Sequence, residues 1–255
     1  MATGADATGL IRSVQRACAL LGAFTRTSPR LTLAELADRT ELPKPTTYRL
    51  ATTLIECGLM TQHPDGRYGL GVRMIDFGSI ARSDLDLIEV CGPVMERLAE
   101  WSGETVLLGL VDWDPLEITI VHRIDSAHEL SVVSRVGNRT RLVLGALGKA
   151  LLQGLDPVEV EDVVARMDLS AHTDHSITDP AHAVSEVARC RELGFATDRD
   201  EFLAGVSAVS VPVALGGARP VAAIGVVGPA SRIDQRLELI GERMRREMSH
   251  LTGRS

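Results

Sequence analysis

Aromatic residues make up only 3% of this 255-residue sequence, with four Phe, two Tyr and two Trp. The core must therefore be aliphatic, built from Leu, Val, Ile and Ala. No uninterrupted apolar run reaches the roughly 18 residues that a membrane-spanning helix needs, so no membrane partner is expected. The stretch from Met1 to Arg12 lacks the basic head and apolar centre of a secretory signal. Cysteine is sparse, at 18, 57, 91 and 190, and no Cys-x-x-Cys pair is present. That spacing gives no disulfide framework and fits reduced thiols in a cytoplasm. His172 and His175 form a close pair, but no third ligand lies near them, so the stretch reads as a solvated loop. No metal and no cofactor are expected. Lysine is almost missing: Lys44 and Lys149 stand against twenty-five arginines. With abundant alanine, that bias points to a GC-rich bacterial genome. Hydrophobic residues at 45% and charged residues at 24% are close to the globular average and exclude disorder as the main state.

A net charge of −7 argues against a nucleic-acid partner until its distribution is followed. Through Arg82 there are ten basic and seven acidic residues; beyond it, seventeen basic and twenty-seven acidic. A mildly basic head on an acidic body fits a chain whose first part alone meets phosphate.

The head carries a motif. Val14, Ala17, Cys18, Leu21 and Phe24 recur at helical spacing after Ser13, a candidate cap. Thr32 precedes a short helix, Leu33 to Arg39, with Glu35 in capping-box position. Pro43-Lys44-Pro45 stops one helix and starts another that runs to Ile55, with Gly58 as its terminator. His63-Pro64-Asp65-Gly66 then separates two short strand-like runs as a hairpin would. Helix, helix, turn, helix, hairpin is a winged helix-turn-helix, whose later helix lies in the major groove. The candidate DNA-binding residues are Lys44, Thr46, Thr47, Tyr48, Arg49 and Thr53, with Arg67 on the hairpin. A winged helix used only for protein contact is the alternative reading.

Residues 10–71, with Ala-Glu-Leu-Ala, Leu-Pro-Lys-Pro-Thr-Thr-Tyr-Arg-Leu and Gly58-Leu59, resemble the IclR family of bacterial transcriptional regulators. The similarity continues through Tyr68-Gly69-Leu70-Gly71 and Ile75-Asp76-Phe77-Gly78 and covers nearly the whole chain. The expected architecture is α+β. It comprises a winged helix-turn-helix over 10–71, a linker helix over 72–84 and an effector domain over 85–255. The resemblance implies a GAF-like, curved antiparallel sheet with flanking helices for the last of these.

In the body, Leu85 to Trp101 reads as an amphipathic helix in which Gly92-Pro93 introduces a kink. Strand runs are expected at 105–112, 117–123, 130–135, 206–215 and 220–228, the last two joined by Gly216-Gly217-Ala218-Arg219. Helices are expected at 145–153, at 156–167 behind Asp156, from Asp179 to Leu193, and from Ile233 to Leu251. Two enzyme motifs nearly match and fail. Gly148-Lys149 lacks the earlier glycine and the following hydroxyl of a phosphate-binding loop. Gly205-Val206-Ser207-Ala208-Val209 lacks the closing glycine of a nucleophile elbow.

The resemblance places an effector pocket at Leu142, Leu144, Gly145, Ala146, Asp198, Val206, Ala208, Gly225 and Val227. Ala146, Ala208, Gly225 and Val227 supply no hydroxyl or thiol, so a highly charged keto acid would lack donors and a more apolar effector fits better. The reading is a cytoplasmic, ligand-responsive DNA-binding regulator, a repressor of an adjacent metabolic operon. Its partners are double-stranded operator DNA, a small-molecule effector and a second copy of itself, as a homodimer or a dimer of dimers. Val14, Leu21, Ile75 and Phe77 are the candidate dimer surface, with Val14 and Leu21 equally suited to the core of their own domain. Two other classes stay open: a hydrolase-like enzyme with an accessory winged helix, and an architectural DNA binder without ligand control. Against the enzyme, no nucleophile–base pair emerges.

Overall fold

The computed structural model describes residues 10–25, 27–83, 86–132, 134–214 and 219–252. Asp84 of the expected joint, Leu85 at the expected helix start and residues 216–218 of the expected late turn lie outside them. The chain divides into two compact units between residues 84 and 85.

The first unit contains α1 (Arg12–Gly22), α2 (Leu33–Thr40), α3 (Lys44–Glu56), β1 (Met60–Gln62), β2 (Tyr68–Leu70) and α4 (Arg73–Ser83). Leu20, Leu31, Leu36, Ala51, Leu54, Met60 and Tyr68 form its core. The capping box is present: Glu35 N–H donates to the Thr32 hydroxyl, and Thr32 N–H donates to the Glu35 carboxylate at 2.7 Å. Two free N–H groups of α2 are thereby satisfied by local sequence alone. The expected cap at Ser13 is corrected: α1 starts two residues earlier, at Arg12 behind Ile11, with no side-chain cap. Val14 and Cys18 face outward, and Leu20 is the residue α1 buries completely. Gly58 has φ +75, so α3 ends through a left-handed residue, and Leu59 N–H returns to the Leu54 carbonyl. β1 and β2 pair antiparallel around the 63–66 turn.

The second unit has α5 (Asp86–Ser102), β3 (Thr105–Asp112), β4 (Glu117–Ile124), β5 (Arg139–Arg141), α6 (Ala146–Gln153), α7 (Pro157–Arg166), α8 (Pro180–Leu193), β6 (Ala196–Arg199), β7 (Val206–Val213), β8 (Ala222–Pro229), α9 (Ala230–Ile233) and α10 (Leu237–Thr252). The strands make one antiparallel sheet in the order β5-β4-β3-β8-β7-β6. Alternate residues of each strand go to opposite faces. One face, with Val106, Leu108, Val209, Val211, Ile224 and Val226, packs with Cys91, Met95 and Leu98 of α5 and Ile240 and Met244 of α10. The other, with Leu107, Ile118, Ile120, Ala223 and Val227, meets residues of α6, α7 and α8.

α5 runs from Asp86 to Ser102 with Pro93 inside it, where the sequence places the helix. Several sequence expectations need correction. None of the described residues in 130–135 is in a strand. Arg123 holds the Ser134 carbonyl and Thr105 the Val132 carbonyl, while Gly137, at φ +80, turns the chain back to Ile120. The strand forms instead at Arg139–Arg141. β6 was not foreseen at all. The terminal helix is preceded by α9 and a 3-10 turn, Asp234–Arg236.

Candidate functional site

α3 presents one polar stripe. Lys44, Tyr48 and Thr52 stand at intervals of four, and Arg49 and Thr53 run beside them; all five are exposed. Residues four apart on a helix share a face, so the side chains form a continuous strip. Tyr48 is 54% exposed, unusual for a phenol ring on a core-forming helix. The Thr52 and Thr53 hydroxyls donate to the carbonyls of Tyr48 and Arg49, each at 2.9 Å, which leaves their oxygens as acceptors. Thr46 is half-buried at the head of the strip, and Arg67 is exposed on the hairpin.

Thr47 is the exception and a correction. It is fully buried, and its hydroxyl donates to the Pro43 carbonyl at 3.2 Å. With Ala51 and Leu54 it forms the inward stripe of α3, so it supports the helix and cannot touch DNA. Thr52 belongs to the exposed strip and was missed by sequence reasoning. Arg73 of α4 donates to the Cys57 carbonyl at 3.0 Å, placing a cation at the C-terminal end of α3, where the helix dipole favours it.

The second unit holds a cavity of about 230 Å³. Its walls are Leu107 of β3, Ile118 and Ile120 of β4, Val206, Ala208 and Ser210 of β7, and Gly225 and Val227 of β8. The start of α6 contributes Gly145 and Ala146, and the loop after β6 contributes Phe202 and Leu203. Asn138, Thr140 and Arg141 stand at the exposed end. Seven of the nine expected effector residues line it: Gly145, Ala146, Asp198, Val206, Ala208, Gly225 and Val227. Leu142 and Leu144 do not, which is a correction. Both are buried in the core beside α6 to α8, and Val143 between them reaches the cavity instead. Phe202 and Leu203 were missed, although an apolar pair inside a polar loop is a signal in itself.

Gly225 contributes to the wall without leaving slack. A Cβ there would lie 2.8 Å from Ser210 Oγ and 3.2 Å from Leu147 Cδ2. Ser210 in turn donates to the Ile224 carbonyl at 2.9 Å, so its proton is committed to the sheet.

Asp198 is buried at the head of α6, where Gly145 offers no side-chain cap. Its carboxylate accepts the Glu201 N–H at 2.8 Å and is also bonded by the N–H groups of Phe202 and Ala146. Burial pushes its pKa up, against the pull of those N–H bonds and of Lys149. Lys149 is wholly buried, with Nζ 2.6 Å from Glu201 and 3.6 Å from Glu186. Burial raises the Glu201 carboxyl, while the Arg189 hydrogen bond holds Glu186 low. The failed phosphate-loop pair is thus packing and an ion pair: a Cβ on Gly148 would overlap the Val143 carbonyl. Ser207 of the failed nucleophile elbow is buried, does not line the cavity, and its Oγ has no hydrogen-bond partner among the described residues. The loop bearing Phe202 and Leu203 is tied down by Thr173, which donates to the Asp200 carbonyl at 2.5 Å, and by Ser176, which donates to the Glu201 carbonyl at 2.6 Å.

A helix-turn-helix unit with an exposed polar strip, on one chain with an α+β unit that encloses a cavity, defines a regulator with separate DNA-reading and ligand-sensing parts. The family model described as the IclR helix-turn-helix domain matches residues 13–64, and that for the bacterial transcriptional regulator IclR C-terminal region matches residues 80–247. The chain belongs to the IclR family of bacterial transcriptional regulators. It is 29% identical over 239 residues to the transcriptional repressor IclR of Escherichia coli K12, covering 93% of this chain and 87% of that one. The crystal structure of an IclR transcriptional regulator from Alicyclobacillus acidocaldarius matches with a TM-score of 0.83 at 23% identity, covering 96% and 98% of the two chains. An IclR homologue from Microbacterium hydrocarbonoxydans, complexed with 4-hydroxybenzoate, matches with a TM-score of 0.75 at 23% identity over 93% and 99%. No helix among the described residues is long and apolar enough to cross a membrane.

Proposed function

We propose that the chain is a cytoplasmic, non-enzymatic repressor that binds operator DNA as a homodimer and changes its DNA affinity when a small, fairly apolar effector enters the cavity. The observation that carries this reading is the presence on one chain of the exposed α3 strip and of an apolar-lined cavity in the other unit. Lys44, Thr46, Tyr48, Arg49, Thr53 and Arg67 are assigned to DNA. Gly145, Ala146, Asp198, Val206, Ala208, Gly225 and Val227 are assigned to the effector. The relative that holds 4-hydroxybenzoate supports a ligand of that size class. Val14, Ile75 and Phe77, at 55%, 69% and 45% exposure, are assigned to the dimer contact, whereas Leu21 packs in its own core. A dimer would read two half-sites about one helical turn apart or a multiple of it. Light scattering that finds only the 27.4 kDa monomer at working concentration removes the dimer.

The ligand acts only if it binds two DNA-competent geometries unequally. The covalent path for that signal is residues 72–84, and the usual scale of such coupling is about 5- to 150-fold in affinity. The test uses operator selected from a random duplex pool. Arg49→Ala should lose about 1–3 kcal/mol on the selected site and little on random duplex. An unchanged ratio between the two removes Arg49 from the reading set.

A further inference from the structure

The threonines of α3 are not equivalent. Thr47 is buried and bonds back to the start of the helix, and Thr46 is half-buried in the first turn. Thr52 and Thr53 are exposed, yet both hydroxyls are turned to the backbone. Each donates to the carbonyl four residues earlier, that of Tyr48 and that of Arg49, at 2.9 Å. A hydroxyl has a single proton to give. With that proton on the helix carbonyl, neither residue has a donor left for a phosphate oxygen. Nor has it one for the acceptors that guanine, adenine and thymine show in the major groove. The oxygen also sits on the helix side of each residue. The group that each still offers to an incoming surface is its methyl.

The placement of the two methyl groups follows from helix geometry. Thr52 lies one turn beyond Tyr48, and Thr53 one turn beyond Arg49, so the two form the end of the exposed strip. Helical side chains lean toward the N-terminus. The long side chains of Tyr48 and Arg49 therefore lean away from both threonines and leave them uncovered. Short side chains at this point let the helix approach a groove floor closely. The one acidic residue of α3, Glu56, stands at its last position, so no carboxylate falls within the strip to repel DNA. The apolar feature on base edges in the major groove is the methyl group of thymine.

Resting on the reading of α3 as the helix that enters the major groove, we propose that Thr52 and Thr53 are specificity-determining residues that select thymine through its methyl group. The thymines lie beside the base contacted by Arg49. The helix then divides its reading. Its first two turns, with Thr46, Tyr48 and Arg49, supply hydrogen bonds, and the turn after them supplies apolar contact.

The experiment uses the full chain and an operator selected by it from a random duplex pool. Each thymine of the half-site is replaced in turn by deoxyuridine, which keeps the pairing edge and loses only the methyl group. At one or two positions wild type should bind about three- to fivefold more weakly per half-site, the scale of one buried methyl group. Thr52→Ser and Thr53→Ser keep the hydroxyl and lose the methyl, so each should bind thymine and deoxyuridine equally at its own position. Thr52→Val and Thr53→Val keep a methyl and lose the hydroxyl, so each should retain the preference. Affinity for random duplex, which rests on phosphate contacts, should be the same in all four variants and shows that the helix is intact. A selected half-site with no position sensitive to deoxyuridine overturns the proposal. So does a preference that survives in the serine variants, which places the methyl contact on another residue. A preference lost in the valine variants and kept in the serine variants assigns the reading to the hydroxyl and overturns it as well. If the pool yields no preferred sequence at all, the reading of α3 as a DNA-reading helix fails, an outcome distinct from the failure of the two threonines alone.

Discussion

Toward α5 and α10, strands β3, β7 and β8 present Leu108, Val209, Val211, Ile224 and Val226. One residue along, toward α6, the same strands present Leu107, Ala208, Ser210 and Gly225. The backbone is common to both faces, and only the side-chain volumes differ. The first face closes into a packed core. The second keeps a cavity of about 230 Å³, although Leu147 of α6 and Ser210 fill the space over Gly225. Ala208 and Ser210 of β7 are the short side chains on its wall. Its neighbourhood is held open by charge as well as by shape, since Lys149, Glu201 and Asp198 fix the loop that carries Phe202.

That charge cluster gives the largest expected effect. Lys149→Met removes a fully buried cation and leaves the largely buried Glu201 without its ion-pair partner, while Glu186 keeps Arg189. A loss of about 3–5 kcal/mol in urea melts is expected, because breaking one side of a buried pair exposes the full burial penalty of the other. Adding Glu201→Gln should return part of it. A loss below about 1 kcal/mol, the scale of a surface pair, would mean that water reaches Nζ.

Two neighbouring leucines test the faces directly. Leu108→Ala, on the sealed side, should cost about 2–5 kcal/mol, since the surrounding core cannot collapse into the gap. Leu107→Ala, on the cavity side, should cost less, because part of that side chain already borders open space and loses fewer contacts. Equal losses would show that the cavity closes in solution.

The converse substitutions have smaller effects of opposite sense. Ala222→Leu inserts bulk into the sealed face and should cost about 1–3 kcal/mol. Ala208→Leu points into the cavity and should stay within about 1 kcal/mol of wild type, since the added methyl groups gain contacts there. Gly225 is the poorer plug, because a Cβ would press on Ser210 and Leu147 before reaching free space. A destabilised Ala208→Leu and a tolerated Ala222→Leu would reverse the comparison.

The sequence was most legible where the cause is local. Thr32 with Glu35, Asp156 and Asp179 each sit within a few residues of the helix end they cap, and each does so in the structure; the Glu159 half of the Asp156 capping box was not read. The errors fall where distant partners decide. Leu130 to Arg135 has the β-branched content of a strand, but Val132 is used as cavity wall and Arg139–Arg141, without an apolar residue, takes the edge. β6 is four residues long and lies at the other edge, where a strand needs only one neighbour. Thr47 was misassigned because its hydroxyl suggested DNA. Its spacing to Ala51 and Leu54 was the better guide, and that spacing was present in the sequence. For the cavity, residue identities mark its apolar character, but nothing local reveals that Asp198 fills the head of α6, since fifty residues separate Gly145 from Ala196 at the start of β6.

The smallest effect is a slope with pH. Burial raises the Asp198 carboxyl above its ordinary value of about 4. The folded state then binds its proton more tightly than the unfolded chain does. The stabilising contribution is complete below the unfolded pKa and is lost as pH rises through the folded one. Asp198→Asn has no proton to lose, yet its amide oxygen can still accept the Glu201 N–H. The stability of wild type relative to Asp198→Asn should therefore fall as pH rises from about 4 into the raised range, and then level off. Glu186 and Glu247, whose carboxyls are held low, contribute the opposite slope to each protein and largely cancel in the difference. Urea melts of both proteins at steps across that window supply the measurement. Parallel stability curves would mean that Asp198 is solvated through the cavity mouth, and would place water, not a dry apolar pocket, beside α6.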